Sequence, residues 1–361
     1  MSSEEKLQRI RKQIDQLDLQ IQSLINQRAS AAKAVAEIKL EEDKDAFFYR
    51  PEREAAILKK VQRRNEGPMG DEEMARLFRE IMSACLALEQ PLKIAYLGPE
   101  GTFTQSAALK HFGHSIITVP FGSISDVFQE VESSAAHYGV VPVENSTEGV
   151  INHTLDMFLR SSLFICGEVG LRIHHHLLSM EADTSDITRV YSHQQSLAQC
   201  RSWLDRNLPA AEQITVGSNA EAAKLAAAEP GSAAIAGEMA AELYRLKGLA
   251  RNIEDEPDNT TRFLVVGRQK ALLSGDDKTS ILCATRNVAG GLNLLLTPLA
   301  KHGISMNRIE SRPSRQGNWD YVFFIDIEGH QDDPKVTQAL EALQGQSRLL
   351  KVLGSYPKAV L

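Results

Sequence analysis

Two cationic side chains interrupt the apolar stripe of a long N-terminal segment. Arg28 stands between Leu24 and Ala31, where the stripe should continue. Lys39 lies about 20° from Arg28 around a helix that turns by about 100° per residue, and Arg11 lies roughly 100° from Arg28. One such arginine could reach the edge of a helix seam, but two buried cations need anions. The pair predicts a site for a small dianion, with Arg11 serving a site on another chain.

Three small, polar segments stand at the ends of predicted strands in the middle of the chain. They are Gly98-Pro99-Glu100-Gly101-Thr102-Phe103, Val143-Glu144-Asn145-Ser146-Thr147-Glu148-Gly149 and Thr260-Thr261-Arg262-Phe263. Such loops line the ligand crevice of open α/β sheets, although each alone could be a turn with a helix cap. The first loop lacks the lysine and hydroxyl of a P-loop. Together they predict a binding cleft.

The histidines and cysteines predict neither a metal site nor a cofactor. In a strand, only the first and third rings of His174-His175-His176 would share a face, and no acidic or cysteine partner stands at ligand spacing. The four cysteines are widely spaced, so we expect buried free thiols in a reducing compartment. They are Cys85, Cys166, Cys200 and Cys283.

The composition is that of a globular protein with more than one domain. A chain of 361 residues exceeds one ordinary core, and its 43% apolar and 24% charged residues are usual values. The net charge of -7 argues against nucleic-acid and anionic-membrane partners. Neither a signal peptide nor a membrane-spanning stretch is recognisable. We therefore expect a cytoplasmic protein.

Helices must position the cations of the first site. No proline or glycine occurs from Ser2 to Arg50, and apolar residues recur at three-four spacing between residues 7 and 38. A helix of this length would extend for about 50 Å and expose its stripe, so a second copy of the chain is the simplest cover. A second helix is expected from Glu52 to about Arg64, and a third with Asp71 as its N-cap.

Strands and helices alternate from Lys93 onwards, which indicates an α/β domain with parallel strands that closes with the strand Arg262 to Val266. Helix is also expected from Ser196 to Asn207. After a polar linker, the remainder reads β-α-β-β-α-β, the ferredoxin-like order, which alone implies no function. The expected domains are residues 1–91, 92–268 and 279–361, with 269–278 as the linker.

The N-terminal residues resemble the all-helical chorismate mutase family. The matching positions are Leu7, Ile10, Arg11, Ile14, Asp15, Asp18, Arg28, Lys39 and Glu52-Arg53-Glu54. The resemblance implies an intertwined dimer of three-helix domains, in which Arg11 of one subunit and Arg28 of the other hold the two carboxylates of chorismate. It also implies that Lys39 donates to the ether oxygen and that Arg53 and Glu54 complete the site, with Glu54 accepting from the ring hydroxyl.

Glu89 departs from the pattern of that family. Many members carry a glutamine there as a second donor to the ether oxygen, and an ionised glutamate cannot donate. We therefore predict that Glu89 works protonated. Cys85 stands where a serine is common, and the acidic residue expected just before Arg53 is displaced or absent, with Asp45 as a candidate.

The middle segments, with Tyr191-Ser192-His193 and Gln195, resemble prephenate dehydratases from Lys93 to Gly267. The resemblance implies two lobes similar to a periplasmic binding protein, a site in the cleft between them, and Thr261 as the catalytic residue. The expected lining residues are Thr102, Asn145, Ser146, Thr147, Ser192, His193, Gln195 and Phe263. Arg262 would bind a substrate carboxylate if strand alternation turned it to the cleft, and His193 could instead be a satisfied turn residue.

Two C-terminal segments resemble the effector-binding parts of the ACT domain in prephenate dehydratases. They are Ala289-Gly290-Gly291-Leu292 at a helix start and Glu310-Ser311-Arg312-Pro313 after a strand. The resemblance implies that phenylalanine binds between two such domains at a dimer interface, with helix-terminal amides holding its carboxylate. Gly291 stands where the family usually has alanine. A dimerisation module without a ligand is the alternative.

The whole chain is therefore expected to convert chorismate to prephenate and prephenate to phenylpyruvate, under inhibition by phenylalanine. A mutase fused to prephenate dehydrogenase would need a dinucleotide fingerprint, and no G-x-G-x-x-G occurs. A non-catalytic amino-acid sensor would have no use for the cations Arg28 and Lys39.

Overall fold

Three helices form the N-terminal domain. A computed structural model of the protein describes residues 2–42, 47–285, 288–313 and 321–361. The helices are α1 (Ser3–Glu42), α2 (Pro51–Arg64) and α3 (Asp71–Glu89). All three were predicted, but residues 47–50 are not helical, and Asp71 is the first residue of α3 because Gly70 is its N-cap. Asp45 lies outside the described residues.

The first half of α1 projects its apolar stripe into solvent. The side chains at residues 7, 10, 14, 17, 21 and 24 are 49–63% exposed, whereas Ala36 in the second half is buried against the other helices. The small core of this domain contains Leu58, Ala75 and Met82. The apolar stripe of α1 is therefore longer than the part that its own chain covers.

The middle domain consists of two lobes, each built on a mixed sheet. Its elements, in chain order, are β1 (Lys93–Leu97), α4 (Phe103–Phe112), β2 (Ile117–Phe121), α5 (Ile124–Glu132), β3 (Tyr138–Asn145), β4 (Gly149–Val150), α6 (Asn152–Phe158), β5 (Phe164–Arg172), β6 (His176–Ser179), β7 (Arg189–His193), α7 (Gln194–Gln199), α8 (Arg201–Asn207), β8 (Glu212–Val216), α9 (Asn219–Ala228), β9 (Ser232–Ala236), α10 (Glu238–Tyr244), β10 (Lys247–Ala250) and β11 (Thr260–Gly267). The sheet orders are β2-β1-β3-β11-β5, with β4 beside β3, and β10-β6-β9-β7-β8.

Strand β11 returns the chain from the second lobe to the first. It enters between β3 and β5 and runs antiparallel to both, so the expectation of parallel strands was wrong for this part of the sheet. Strand β1 is parallel to β2 and β3, as expected. The helix predicted from Ser196 to Asn207 is two helices that meet at Cys200.

The C-terminal domain has the predicted β-α-β-β-α-β order. Its elements are β12 (Asp277–Ala284), α11 (Gly291–Lys301), β13 (Met306–Pro313), β14 (Tyr321–Glu328), α12 (Pro334–Gln346) and β15 (Leu349–Pro357). The sheet order β13-β14-β12-β15, antiparallel throughout, is ferredoxin-like. One face packs on α11 and α12. The other face joins the core of the first lobe, where Phe324 and Leu353 are buried with Ile165 and Leu264.

The last residues of the chain return to the N-terminal helices. Val360 and Leu361 pack against the core of α2 and α3, and Lys59 Nζ donates to Asp276 Oδ2 over 2.8 Å. All three domains therefore contact one another. Among the described residues, no helix is both long and apolar enough to cross a membrane.

Candidate active sites

Five charged residues predicted for the first site meet in one cleft of the helical domain. Arg28 and Lys39 reach it from α1, Arg53 and Glu54 from α2, and Glu89 from the last turn of α3. The helical period of α1 places its two cations on one face. Apolar side chains line the rest of the cleft, among them Val35, Ile57, Met82 and Leu86.

Burial makes both carboxyl groups of this cleft weaker acids. It raises the pKa of Glu54 to about 7, although Arg79 and Arg28 act in the opposite direction. Burial also raises the pKa of Glu89, against the attraction of Lys39, Arg28 and Arg53. Among the described residues, the buried Oε2 atom of Glu54 has no hydrogen-bond partner. The cleft can therefore hold a proton on one carboxyl group and offer cations to an anion.

The segment before α2 closes one side of the cleft. Lys39 Nζ donates to the carbonyl oxygen of Phe47 over 3.3 Å and lies 5.4 Å from the ring centroid of Phe48. Arg50 also lines the cleft, which the sequence analysis missed although the residue directly precedes the first helical proline. An acidic residue, Glu52, does directly precede Arg53, which corrects the expectation that it is displaced or absent, and its carboxylate pairs with Arg50.

Arg11 does not reach the cleft of its own chain. It is exposed on the first half of α1, in the part whose apolar stripe is bare. Cys85, by contrast, lines the cleft and is buried. Of the charged mutase residues that were predicted and that the structure describes, the cleft within one chain thus contains Arg28, Lys39, Arg53, Glu54 and Glu89 but not Arg11.

Asn145 and Thr261 lie side by side where β3 and β11 pair. Asn145 Nδ2 donates to Thr261 Oγ1 over 2.8 Å. Ser146 is held next to them because its hydroxyl accepts from the backbone N–H of Thr260 over 2.9 Å. The backbone N–H of Thr147 donates to Asn145 Oδ1 over 2.9 Å. Two predicted loops therefore form one polar surface at this end of the first lobe.

The second lobe contributes the residues around the start of α7. His193 caps this helix, with its Nδ1 atom accepting from the backbone N–H of Gln195. Ser192 is fully buried, and its hydroxyl lies 2.8 Å from the carbonyl oxygen of Ile235. The Ser192 hydroxyl thus bonds inside the lobe, and its contact with the substrate stays a prediction.

The first loop contacts the second lobe directly. Thr102 caps α4 and donates its hydroxyl proton to carbonyl oxygens of its own loop, Leu97 and Pro99. The adjacent Phe103 packs edge to face against His175, with ring centroids 5.6 Å apart. Thr102 thus lies at the junction of the two lobes.

Arg262 and Phe263 point away from the cleft, which corrects both predictions. Arg262 pairs with Glu168 over 2.9 Å and with Asp326 of the C-terminal domain over 2.6 Å. Phe263 is 2% exposed in the core of the first lobe, beside Tyr96. The physical reason is that the two residues lie on opposite faces of β11 and both faces are covered, one by the C-terminal sheet and the other by the core around Tyr96.

The predicted effector segment at the start of α11 borders a pocket of the C-terminal domain. The pocket is lined by Gly290, Gly291 and Leu292 at the start of α11 and by Tyr321 and Phe323 of β14. Gly290 has a φ of 79°, which favours glycine, and a Cβ atom there would meet no other atom. Tyr321 and Phe323 were missed, although the ferredoxin-like order places their strand next to β13.

Only half of the segment on β13 lies on the side of that pocket. Ser311 and Pro313 pair with Phe323 and Tyr321. Their side chains therefore lie on the same face of the sheet as those two aromatic rings. Glu310 pairs with Phe324, whose side chain joins the core of the first lobe. Arg312 donates to Asp156 of α6 over 2.8 Å. The side chain of Arg312 therefore contacts the dehydratase lobe, and its binding of the effector stays a prediction.

The three consecutive histidines bind separate partners. His174 Nδ1 lies 2.8 Å from Glu254 Oε1, and His175 Nε2 lies 2.9 Å from Gln199 Oε1. His176 Nδ1 accepts from the backbone N–H of Asn252. Among the described residues, no three histidine, cysteine or acidic side chains are grouped to hold a metal ion. All four cysteines are buried free thiols.

Three families of known proteins match the three domains in order. Chorismate mutase type II matches residues 10–90, prephenate dehydratase residues 94–271 and the ACT domain residues 279–345. A bifunctional chorismate mutase/prephenate dehydratase from Stutzerimonas stutzeri is 58% identical over 100% of both chains. The chain belongs to the bifunctional chorismate mutase/prephenate dehydratase family. It is an enzyme that joins both catalytic domains to an ACT domain.

Other bifunctional chorismate mutase/prephenate dehydratases and a solved structure agree with this assignment. The Pseudomonas aeruginosa protein is 57% identical over 100% of both chains. The structure of the prephenate dehydratase from Arthrobacter aurescens in complex with L-Phe is 34% identical, with a TM-score of 0.69, and the match covers 74% of this chain and 90% of that one. The ferredoxin-like domain described above is the ACT domain.

Proposed function

We propose that the cleft of the helical domain rearranges chorismate to prephenate without a covalent intermediate. The reaction is pericyclic, so the site must fix a folded conformer and stabilise the negative charge that grows on the ether oxygen. Arg28 binds a carboxylate, while Lys39 and a protonated Glu89 donate to the ether oxygen. The observation that carries this proposal is the convergence of these three side chains on one cleft.

Arg53 and Glu54 complete the proposed mutase site. Glu54 accepts a hydrogen bond from the ring hydroxyl when it is ionised, and its unpartnered Oε2 atom supports this role. Arg53, on the same helix as Glu54, adds its positive charge to those of Arg28 and Lys39. Both roles come from the chorismate mutase family and from their place in the cleft.

A homodimer completes the mutase site with Arg11 of the second chain. The bare stripe on α1 supports this proposal. Burying its leucine and isoleucine side chains in a dimer would stabilise the dimer by about 25 cal/mol for each Å² of apolar surface. The same helix carries Arg11 on its exposed part. Two α1 helices that cover each other's stripes bring each Arg11 towards the cleft of the partner.

The dehydratase reaction takes place at Thr261. Prephenate loses its ring hydroxyl and its ring carboxylate together, which yields phenylpyruvate, carbon dioxide and water. Hydroxide leaves poorly unless it receives a proton. The Thr261 hydroxyl donates a hydrogen bond to that oxygen, while Ser146, Thr147, His193 and Gln195 contribute to binding from the two lobes. The contact of Asn145 with Thr261 supports this placement.

Phenylalanine inhibits the enzyme by binding at the pocket beside Gly290 and Gly291. Backbone N–H groups at the start of α11 suit a carboxylate, and Tyr321 and Phe323 offer aromatic surface for the ring. The Arthrobacter aurescens relative, whose structure contains L-Phe, supports this choice of effector. Phenylalanine inhibits because it favours a state of lower activity.

The domain boundaries and the compartment are part of the same proposal. The mutase domain ends near residue 91 and the dehydratase domain near 268, because α3 ends at Glu89 and β11 at Gly267. The ACT domain begins near 279, with residues 269–278 as the linker. The four buried free thiols support a reducing cytoplasm.

One assay tests the function as a whole. Chorismate is added to the full-length protein, and its consumption and the formation of phenylpyruvate are followed by ultraviolet absorbance, with and without phenylalanine. We expect phenylpyruvate without added nucleotide and slower formation with phenylalanine. A requirement for a nicotinamide cofactor, or no consumption of chorismate, would contradict the proposal.

A further inference from the structure

A chain of amide side chains reaches Thr261 from the second lobe. At its end, the Oδ1 atom of Asn145 accepts from the backbone N–H groups of Thr147 and Glu148, over 2.9 and 3.0 Å. These two donors settle the orientation of the Asn145 amide, because its oxygen must face them. The Nδ2 atom of Asn145 therefore faces away from the loop and must donate.

Asn145 Nδ2 has two acceptors, Thr261 Oγ1 and Asn259 Oδ1, each at 2.8 Å. Thr261 thus accepts a hydrogen bond from the protein. Its own proton is directed away from Asn145 and remains for a ligand. Because Thr261 Oγ1 accepts from Asn145, the Thr261 hydroxyl can donate its proton in a hydrogen bond to a leaving hydroxyl.

Asn259 links this pair of hydrogen bonds to the second lobe. Its side chain is 2% exposed, and because its Oδ1 atom accepts from Asn145, its Nδ2 atom donates to Gln199 Oε1 over 3.0 Å. The same oxygen of Gln199 accepts from His175 Nε2 over 2.9 Å. His175 therefore carries its proton on Nε2, and its buried Nδ1 atom has no partner among the described residues.

We propose that Asn259 is a positioning residue for the dehydratase reaction, which holds the Asn145 amide so that the Thr261 proton points to the substrate. This inference rests on the proposed role of Thr261. The N–H groups of Thr147 and Glu148 still set which way the Asn145 amide faces, but without Asn259 the amide loses its link to Gln199 of the second lobe. Asn145 and the Thr261 hydroxyl that it contacts are then displaced from the substrate. The expected loss is in kcat, while KM for prephenate changes little.

The variant Asn259→Asp tests whether the hydrogen bonds of Asn259 matter, because aspartate fills nearly the same space. A carboxylate can accept from Asn145 but cannot donate to Gln199, whereas a protonated carboxyl group can do both. The charged or titratable groups around this position are Glu148, Glu254, Glu256, Asp258, Arg172 and His175. Because burial disfavours the charged form, the variant should regain the hydrogen-bond pattern of Asn259 as the pH falls.

The experiment measures kcat and KM for prephenate against pH in the full-length enzyme and three variants. We expect Asn259→Ala to lose about 10²-fold in kcat at every pH, the cost of a small misplacement. Asn259→Asp should lose as much near neutral pH and recover towards acid. The exposed Asn207→Asp is the matched control and should follow the wild type. Mutase activity of each variant reports whether the chain is folded.

Three results would overturn the inference while mutase activity is intact. They are wild-type kcat in Asn259→Ala, a change in KM alone, and an Asn259→Asp profile parallel to that of Asn259→Ala. Failure of the underlying proposal is distinguishable, because Thr261→Val would then remain fully active whatever the Asn259 variants do.

Discussion

Glu89 shows how one residue can change the pH response of a site without changing its shape. Three cations, Lys39, Arg28 and Arg53, favour its ionised form, yet burial outweighs them and the pKa of Glu89 is raised. A proton on Glu89 converts an acceptor into a donor, which is what a growing charge on an ether oxygen requires.

The first prediction concerns the pH profile of the mutase. As the pH rises through the raised pKa of Glu89, the donor is lost, and kcat should fall by as much as about 10²-fold. Glu54 acts in the opposite sense, because it must be ionised to accept and its pKa is about 7. The wild type should therefore show a bell-shaped profile of mutase kcat.

Glu89→Gln should remove the falling limb and leave the rising limb, because an amide donates at every pH. Mutase kcat is measured between acid and alkaline pH, with dehydratase activity on added prephenate as the control for folding. A variant with the same falling limb as the wild type would remove Glu89 from the site.

The second prediction concerns the hydroxyl group of Thr261. Thr261→Ser keeps a hydroxyl group whose oxygen can accept from Asn145 Nδ2 and whose proton can bind the substrate. Appreciable dehydratase activity should therefore remain. Thr261→Val has nearly the same shape without the proton, and kcat for prephenate should fall by about 10²-fold or more. Mutase activity is the internal control. Full dehydratase activity in the valine variant would end the assignment.

The sequence predicted which side chains carry chemistry better than it predicted where they point. Arg28 and Lys39 could be placed on one face because a helix has a regular period. Arg262 and Phe263 could not, because they lie on opposite faces of β11 and both faces are covered by other parts of the protein. Asn259 was missed because its partners, Asn145 and Gln199, come from distant parts of the chain.

At the scale of elements, α1 is a helix whose two halves meet different partners. The second half packs on α3 and supplies two cleft cations. The first half shows a stripe that includes Leu17, 49% exposed, and no other described element of the chain covers it. Periodicity predicted both halves, since the stripe continues through them in the sequence. The same reasoning failed at the end of the helix, where Phe47 and Phe48 turn back over Lys39.

The third prediction is that Leu17→Glu dissociates the dimer and lowers mutase activity. A glutamate in the stripe would bury an unpaired charge between two copies of α1, at a cost of several kcal/mol. The partner's Arg11 would then leave the site. Leu19→Glu is the matched control, because residue 19 lies about 160° from residue 17 around the helix. Sedimentation and mutase kcat are measured for both variants.

Dehydratase activity at the same protein concentrations shows whether the Leu17→Glu chain is folded. A Leu17→Glu protein that stays dimeric, or a monomer with wild-type mutase kcat, would contradict the proposed exchange of Arg11. Loss of the dimer in Leu19→Glu as well would mean that the apolar stripe is not the contact surface.

At the scale of the whole molecule, the ACT sheet shares a core with the dehydratase. Backbone atoms of Ile165 lie so close to Gly354 that a Cβ atom there would come within 2.2 Å of a carbonyl oxygen. Lys278 Nζ and Arg262 both donate to Glu168. The sequence predicted both folds but not this interface, because its charged partners are separated by many residues and have no common period.

The last prediction uses this interface to test the corrected position of Arg262. Arg262→Met leaves Asp326 buried without the cation that pairs with it and leaves Glu168 paired with Lys278, and breaking a buried network in this way costs about 3–5 kcal/mol. The thermal unfolding transition should fall by roughly 5–15 °C. Arg76→Met removes an exposed arginine that pairs with Glu72 and Glu73 along α3, at a cost of about 1 kcal/mol or less. Because Arg262 faces the ACT domain, KM for prephenate in the folded variant should stay near that of the wild type, and a large rise in KM without a loss of stability would return Arg262 to the cleft.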